Sequence, residues 1–208
     1  MQRVRAAISL GPNCRGKYHL HRVFADASPS GVFDWQVTPV EAIHCYLRQD
    51  FAGLFERADL VVRAGVVWNA RYGTSHQHEF PRDLSPGQLD ACYPAARARH
   101  EHLCRKTRAL LGGRGPLLLV FSRPVAGEVV AELRAAVSRY NPRLAFHLVA
   151  EPAAGAVGDW TGNAEVWDEL LTPFDITLLE GLAAAWRKRR RDRRRAAGRA
   201  PMPPHALP

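Results

Sequence analysis

Apolar positions fall along this chain in two patterns that take turns. Residues 4–10, 116–121 and 144–149 are short apolar runs, the clearest being Pro116-Leu117-Leu118-Leu119-Val120-Phe121. Runs of this length without polar alternation predict strands buried on both faces. Between them, apolar residues recur three and four apart, the spacing of an amphipathic helix. Gly11-Pro12-Asn13 breaks the first run, and a helical pattern begins near Cys14, with Tyr18, Leu20, Val23 and Phe24 as its apolar positions. Thr38-Pro39-Val40-Glu41 predicts a second helix start, with Thr38 as N-cap and Pro39 at the first helical position. Ile43, Tyr46, Leu47, Phe51 and Leu54 continue its apolar face.

Residues 60–68 are rich in β-formers, and residues 72–81 read as a polar, His-rich loop or short irregular strand. Ser85-Pro86 opens a long helix that Gly112-Gly113 stops. Residues 125–140 predict an amphipathic helix between the second and third strands, ended by Asn141-Pro142. Strand, helix and strand over residues 116–149 make a βαβ unit, which places the two strands parallel. The expected fold class is α/β: a three-layer sandwich around a mainly parallel sheet. A last helix is expected over residues 174–186. The acidic and aromatic stretch 159–168 is expected to pack against the sheet.

Charge refines the domain limits. The chain of 208 residues carries a formal net charge of +9, but residues 187–199 hold nine basic side chains and one acid, Asp192. The remainder is therefore close to neutral. Residues 1–186 are expected to form a single α/β domain, and residues 187–208 a disordered Arg-rich tail. That tail, through residues 187–199, would bind polyanions weakly and without sequence specificity. No stretch approaches the roughly 18 apolar residues of a membrane span, and no signal peptide is visible. A cytoplasmic location is expected, with Cys14, Cys45, Cys92 and Cys104 reduced.

Three positions attract chemical interest. Cys14 follows a strand and a Gly-Pro turn at the start of a helix, where an α/β sheet presents reactive groups. A helix N-terminus favours the thiolate. Local sequence alone favours a buried inert thiol, the commoner fate of such a residue. His76 and His78 alternate, so both imidazoles face one way in an extended segment; either could serve a thiol as base. Asp34, between Phe33 and Trp35, could orient an imidazole or cap a turn. His100 and Cys104 share a helix face while His102 points elsewhere. Even with His76 and His78 this falls short of a zinc set, and no metal or cofactor is expected. Neither Cys14 nor Cys45 is followed six residues on by Arg, so a phosphatase loop is absent.

Ser9-Leu10-Gly11 with Cys14, Phe33-Asp34-Trp35 with Thr38-Pro39, and His78-Glu79-Phe80-Pro81 stand in an order that resembles the motif set of the papain-like cysteine peptidase family of the DUF1796 type. The strand ending at Phe121, with Arg123 beyond it, fits the same pattern, and the resemblance spans roughly residues 5–150. It implies Cys14 as nucleophile, His78 as its base and Asp34 as orienting group. Asn13, Arg15, Trp35, His76, Glu79 and Arg123 would line the site, and backbone N–H groups near Asn13 to Arg15 would hold an oxyanion. Two departures stand out: Glu79 occupies a position where the family has Asp, and residues 28–32 lack the family's Ser and Pro ahead of Phe33. The implied activity is hydrolysis or acyl transfer on a peptide or a small acyl or amide substrate. The alternative is a non-catalytic α/β domain that binds an anionic or sugar-like ligand in the same cleft.

Overall fold

The computed structural model describes residues 1–156 and 158–176. The chain opens with two short strands, β1 (Gln2–Val4) and β2 (Ala6–Ser9), followed by α1 (Arg15–Phe24) and α2 (Val40–Arg48). A meander comes next, with β3 (Leu60–Arg63), β4 (Val66–Asn69) and β5 (Thr74–Ser75). The long helix α3 (Leu89–Leu111) leads to β6 (Leu117–Phe121), α4 (Gly127–Tyr140) and β7 (Phe146–Ala150). Helix α5 (Ala164–Leu171) and β8 (Phe174–Ile176) complete the described chain.

The main sheet is parallel. β6 lies between β2 and β7, with Ile8 opposite Leu119 and Leu119 opposite Leu148. β1 pairs in parallel with β8 as a separate two-stranded sheet. Arg5 separates β1 from β2 and donates its N–H to Pro116 O, so the two strands run on as one. Side chains alternate between the two faces, as the strand period requires. Ile8, Leu10, Leu117, Leu119 and Phe121 join Ile43 and Tyr46 of α2, Leu133 and Val137 of α4, and Leu111 of α3 in one core. Ala7, Leu118 and Val120 point the other way, onto Leu20 of α1 and Trp167 and Leu171 of α5. This is the expected three-layer α/β sandwich. β3, β4 and β5 form a separate antiparallel sheet, and its Leu60 and Val67 pack with Phe55, Phe80 and the first half of α3 in a third core.

Several expectations are corrected. Of the apolar positions expected on α1, Leu20 is fully buried and Phe24 packs against the same core, but Tyr18 and Val23 are 37% and 38% exposed. A Cβ on Gly16 would stand 3.1 Å from Ser122 Cβ. The helix presses on the sheet at this glycine, which turns Gly16 and Leu20 inward and Tyr18 and Val23 outward. Thr38 does not cap α2: Pro39 holds the cap position, and the buried Thr38 hydroxyl has no partner. The Thr38 N–H is directed instead to Pro12 O at 2.8 Å. Phe51 and Leu54 are buried, but beyond the end of α2 at Arg48. Residues 174–176 are strand β8 rather than the start of a helix, and 164–171 is a helix that the pattern did not predict. The rest of the expected last helix and the Arg-rich segment lie outside the described residues.

Leu118 is fully buried at the centre of the sheet. Leu118→Ala should lower stability by about 2–5 kcal/mol, because the removed side chain leaves a cavity that the packed layers cannot close. Urea unfolding followed by circular dichroism measures it.

Candidate functional site at the sheet switch point

The chain leaves β2 toward the α1 face and leaves β6 toward the α4 face. This makes the space between the C-terminal ends of these neighbouring strands the candidate crevice, the place where open α/β sheets receive ligands. Its floor is a polar clasp. Gly11 adopts φ +88°, a conformation that suits glycine, and its N–H is held by Ser9 Oγ at 2.9 Å. The buried Ser122, just past β6, donates its hydroxyl toward Gly11 O at 2.9 Å and Asn13 Oδ1 at 2.9 Å. Asn13 returns its amide to Ser122 O and accepts the Arg15 N–H at 3.0 Å.

Cys14 stands at the N-cap position of α1 and is half-buried. Its location matches the expectation, but its electrostatics do not: burial pushes the thiol pKa up, outweighing its own backbone and the neighbouring Arg15. All four cysteines are free thiols. One distant motif segment meets this turn and is itself joined to a second. Thr38 is bonded to Pro12 O, Val37 bridges Ser75 in antiparallel fashion, and the exposed Trp35 meets the exposed His78 edge to face, with ring centres 5.5 Å apart. Among the described residues no hydrogen bond joins Cys14 to His78.

Asp34 does not touch an imidazole. It is fully buried, accepts the Gly31 N–H at 2.9 Å and lies 3.7 Å from Lys17 Nζ. Lys17 in turn donates to Ser28 O at 2.6 Å, to Ser28 Oγ and to Pro29 O. The pair clamps the loop that carries Trp35. Burial raises the Asp34 carboxyl to about 6, with Lys17, the Gly31 N–H and Lys106 opposing. Burial also lowers the Lys17 pKa.

Arg15 does not line an open site either. It meets both oxygens of the buried Glu151 at 3.0 Å and donates to Trp160 O and Asp159 O. Glu151 also accepts the Trp167 indole N–H at 3.1 Å. The Arg15 N–H is taken by Asn13, so an oxyanion would face the next N–H groups of α1 instead. Arg123 is exposed beside Ser122.

His76 and Glu79 part company with His78. Both are buried, under Phe55, and His100 of α3 joins them. One ligand-type atom of each of the three lies within 4.8 Å of the others. Burial holds His76 near pKa 3 and His100 near 4, and raises Glu79 to about 7. Cys104 is buried one turn after His100 and His102 is exposed; neither belongs to this group. Sequence reasoning passed over Ser122, Glu151 and Lys17. Only Ser122, at the end of the clearest strand, carried a signal, since that position faces a switch-point crevice.

The fold is α/β, and the switch point of its parallel sheet is the candidate site. No protein-family model, no curated protein and no solved structure matches the chain.

Asp34→Ala leaves Lys17 buried without its counter-charge, and should cost about 3–5 kcal/mol in urea unfolding. The wild-type protein should also show a pH signature. The folded-state pKa of Asp34, about 6, exceeds the roughly 3.9 of an unfolded chain. The folded state therefore binds the extra proton between these values. The stability from this group is complete below about pH 4 and is lost as pH rises through 6, with a slope of up to about 1.4 kcal/mol per pH unit. Asp34→Asn should flatten the stability profile in that window.

Proposed function

We propose that the protein is a thiol-dependent hydrolase or acyl transferase of the papain-like peptidase kind, acting on a peptide or a small acyl or amide substrate. The observation that supports this reading is that two sequence-distant segments meet the Gly11 to Cys14 turn, Thr38 on Pro12 and Ser122 on Gly11 and Asn13, while the segment that carries Thr38 also meets Ser75 through Val37 and His78 through Trp35.

In this reading His78 takes the Cys14 proton and the sulfur bonds to the substrate carbonyl carbon. The oxyanion faces the N-terminal turn of α1, whose N–H groups have no intrahelical partner. Collapse of the intermediate breaks the bond to the leaving group, which takes the proton from the imidazolium. Water, or an acceptor nucleophile, then cleaves the thioester and restores the thiol. Trp35 offers an apolar face for substrate, and Arg123 a positive charge at the rim. Asp34 is a positioning residue here, since it fixes the Trp35 loop and does not touch the imidazole. The reading requires the exposed His78 ring to swing onto the thiol, a pairing that would offset the burial of Cys14.

The raised Cys14 pKa and the missing hydrogen bond to His78 favour a second reading, a non-catalytic domain that holds an anionic or sugar-like ligand in the same crevice. Iodoacetamide alkylation of Cys14 as a function of pH separates the two. Under the enzyme reading the rate is half-maximal below about pH 7.5, and His78→Ala moves that midpoint up by about one unit or more. A rate that rises only at or above the ordinary thiol pKa of roughly 8.5, with the same profile in the variant, supports the binding reading.

A further inference from the structure

Away from the switch point, the small antiparallel sheet and α3 enclose a group of polar side chains that the crevice does not use. His76 follows β5, Glu79 lies three residues further on, and His100 sits on the inner face of α3. They are 1%, 6% and 3% exposed. Each has a buried polar atom without a hydrogen-bond partner: His76 Nδ1, Glu79 Oε2 and His100 Nδ1. Such orphans are uncommon in a folded interior, because each forfeits the hydrogen bond it would make to water in the unfolded chain. Three of them on three neighbouring residues call for a common partner.

Among the described residues no side chain supplies it. His76 Nδ1 is 3.8 Å from Glu79 Oε2, too far for a hydrogen bond. The opposite ring nitrogens are already engaged. His76 Nε2 lies 3.0 Å from Thr74 Oγ1 and His100 Nε2 lies 3.2 Å from Tyr46 OH. Protons on both Nε2 atoms would leave Nδ1 lone pairs free on both rings. This is how outer hydrogen bonds orient metal-binding histidines and fix their tautomer. Phe55 stacks on His100, with ring centres 4.4 Å apart, and meets His76 edge-on at 4.7 Å. Both rings are thus held in orientation before any ligand arrives. An open pocket of about 320 Å³, lined by Phe55, Arg97, His100 and Cys104 among others, touches this group at His100; His76 and Glu79 are not on its wall. Arg97 on its wall is paired with Glu56 and Glu101.

We propose that His76, Glu79 and His100 form a binding site for one divalent transition-metal ion of the zinc class. Two imidazoles and one carboxylate are a common ligand set for zinc. Three protein ligands leave a further coordination position for water. The ligand atoms, within 4.8 Å of one another, need only small side-chain rotations to reach the bond lengths of about 2.0–2.2 Å that zinc takes with nitrogen and oxygen. The ion would tie the loop after β5 to α3. The inference is independent of the thiol reading and involves none of its residues.

The test is calorimetric titration of the chelator-treated full chain with zinc, beside Glu79→Gln and His100→Asn. Glu79→Gln keeps size and removes the carboxylate. The expected result is one equivalent bound by the wild type, an affinity loss of about tenfold or more in Glu79→Gln, and a metal-dependent rise in melting temperature that the variant lacks. X-ray absorption of the zinc-loaded wild type should show two imidazole ligands, which tests the assignment even where a variant fails to fold. No stoichiometric binding, equal affinity in Glu79→Gln, or a thiolate-rich coordination shell would overturn it.

Discussion

Burial of β2 and β6 on both faces is the constraint from which the rest of the structure follows. Ile8 and Leu119 point to one side, Ala7, Leu118 and Val120 to the other, and none of them reaches solvent. A strand pair with no wet face must be covered twice, so α2 and α4 take one side and α1 and α5 the other. The chain therefore leaves β2 and β6 in opposite directions, and the crevice between their ends is a by-product of covering the sheet. The Ser122 clasp closes the floor of this crevice: with strand ends buried, Gly11 O and the Asn13 side chain must find partners within the protein.

Charge inside this fold serves position before chemistry. Lys17 with Asp34, and Arg15 with Glu151 and Trp167, are polar contacts in buried or half-buried settings, and each ties a connecting segment to α1. Through Lys17 the helix holds residues 28–34, and through Arg15 it holds the loop that leads into α5. His19 extends the second contact, stacked on Trp167 and bonded to Thr161 O at 2.7 Å. The half-buried thiol at the head of the same helix is thus set in a rigid frame. Its burial works against the thiolate, and the exposed Trp35 and His78 are the part of the rim free to respond to a ligand.

The two proposed chemistries draw on different side chains. The thiol reading draws on the half-buried Cys14 and the exposed His78 and Trp35. The third core offers two imidazoles and a carboxylate held by Thr74, Tyr46 and Phe55. The short stretch from His76 to Glu79 serves both. As the segment leaves β5, His76 and Glu79 turn into the core while His78 turns out toward Trp35.

Hydrophobic pattern alone determined the strands at 117–121 and 146–150, the helix between them and the parallel sandwich they imply, because burial of both strand faces is written directly in an unbroken apolar run. It also placed Cys14 at a helix start behind a strand. What it could not carry was any property that depends on a partner far along the chain. Leu20 and Phe24 of the apolar stripe of α1 do face the core, but the close approach of Gly16 to Ser122, more than a hundred residues away, leaves Tyr18 and Val23 outside it. Thr38 resembles a cap, yet Pro12 claims its N–H. Asp34 belongs to Lys17, and Arg15 to Glu151. His76 and His78 look equivalent two residues apart, and only the packing of Phe55 and α3 against β5 makes one a buried, oriented group and the other a surface ring. Local spacing fixes which way a side chain leaves the backbone; what it meets there is set by segments that only the tertiary fold brings near.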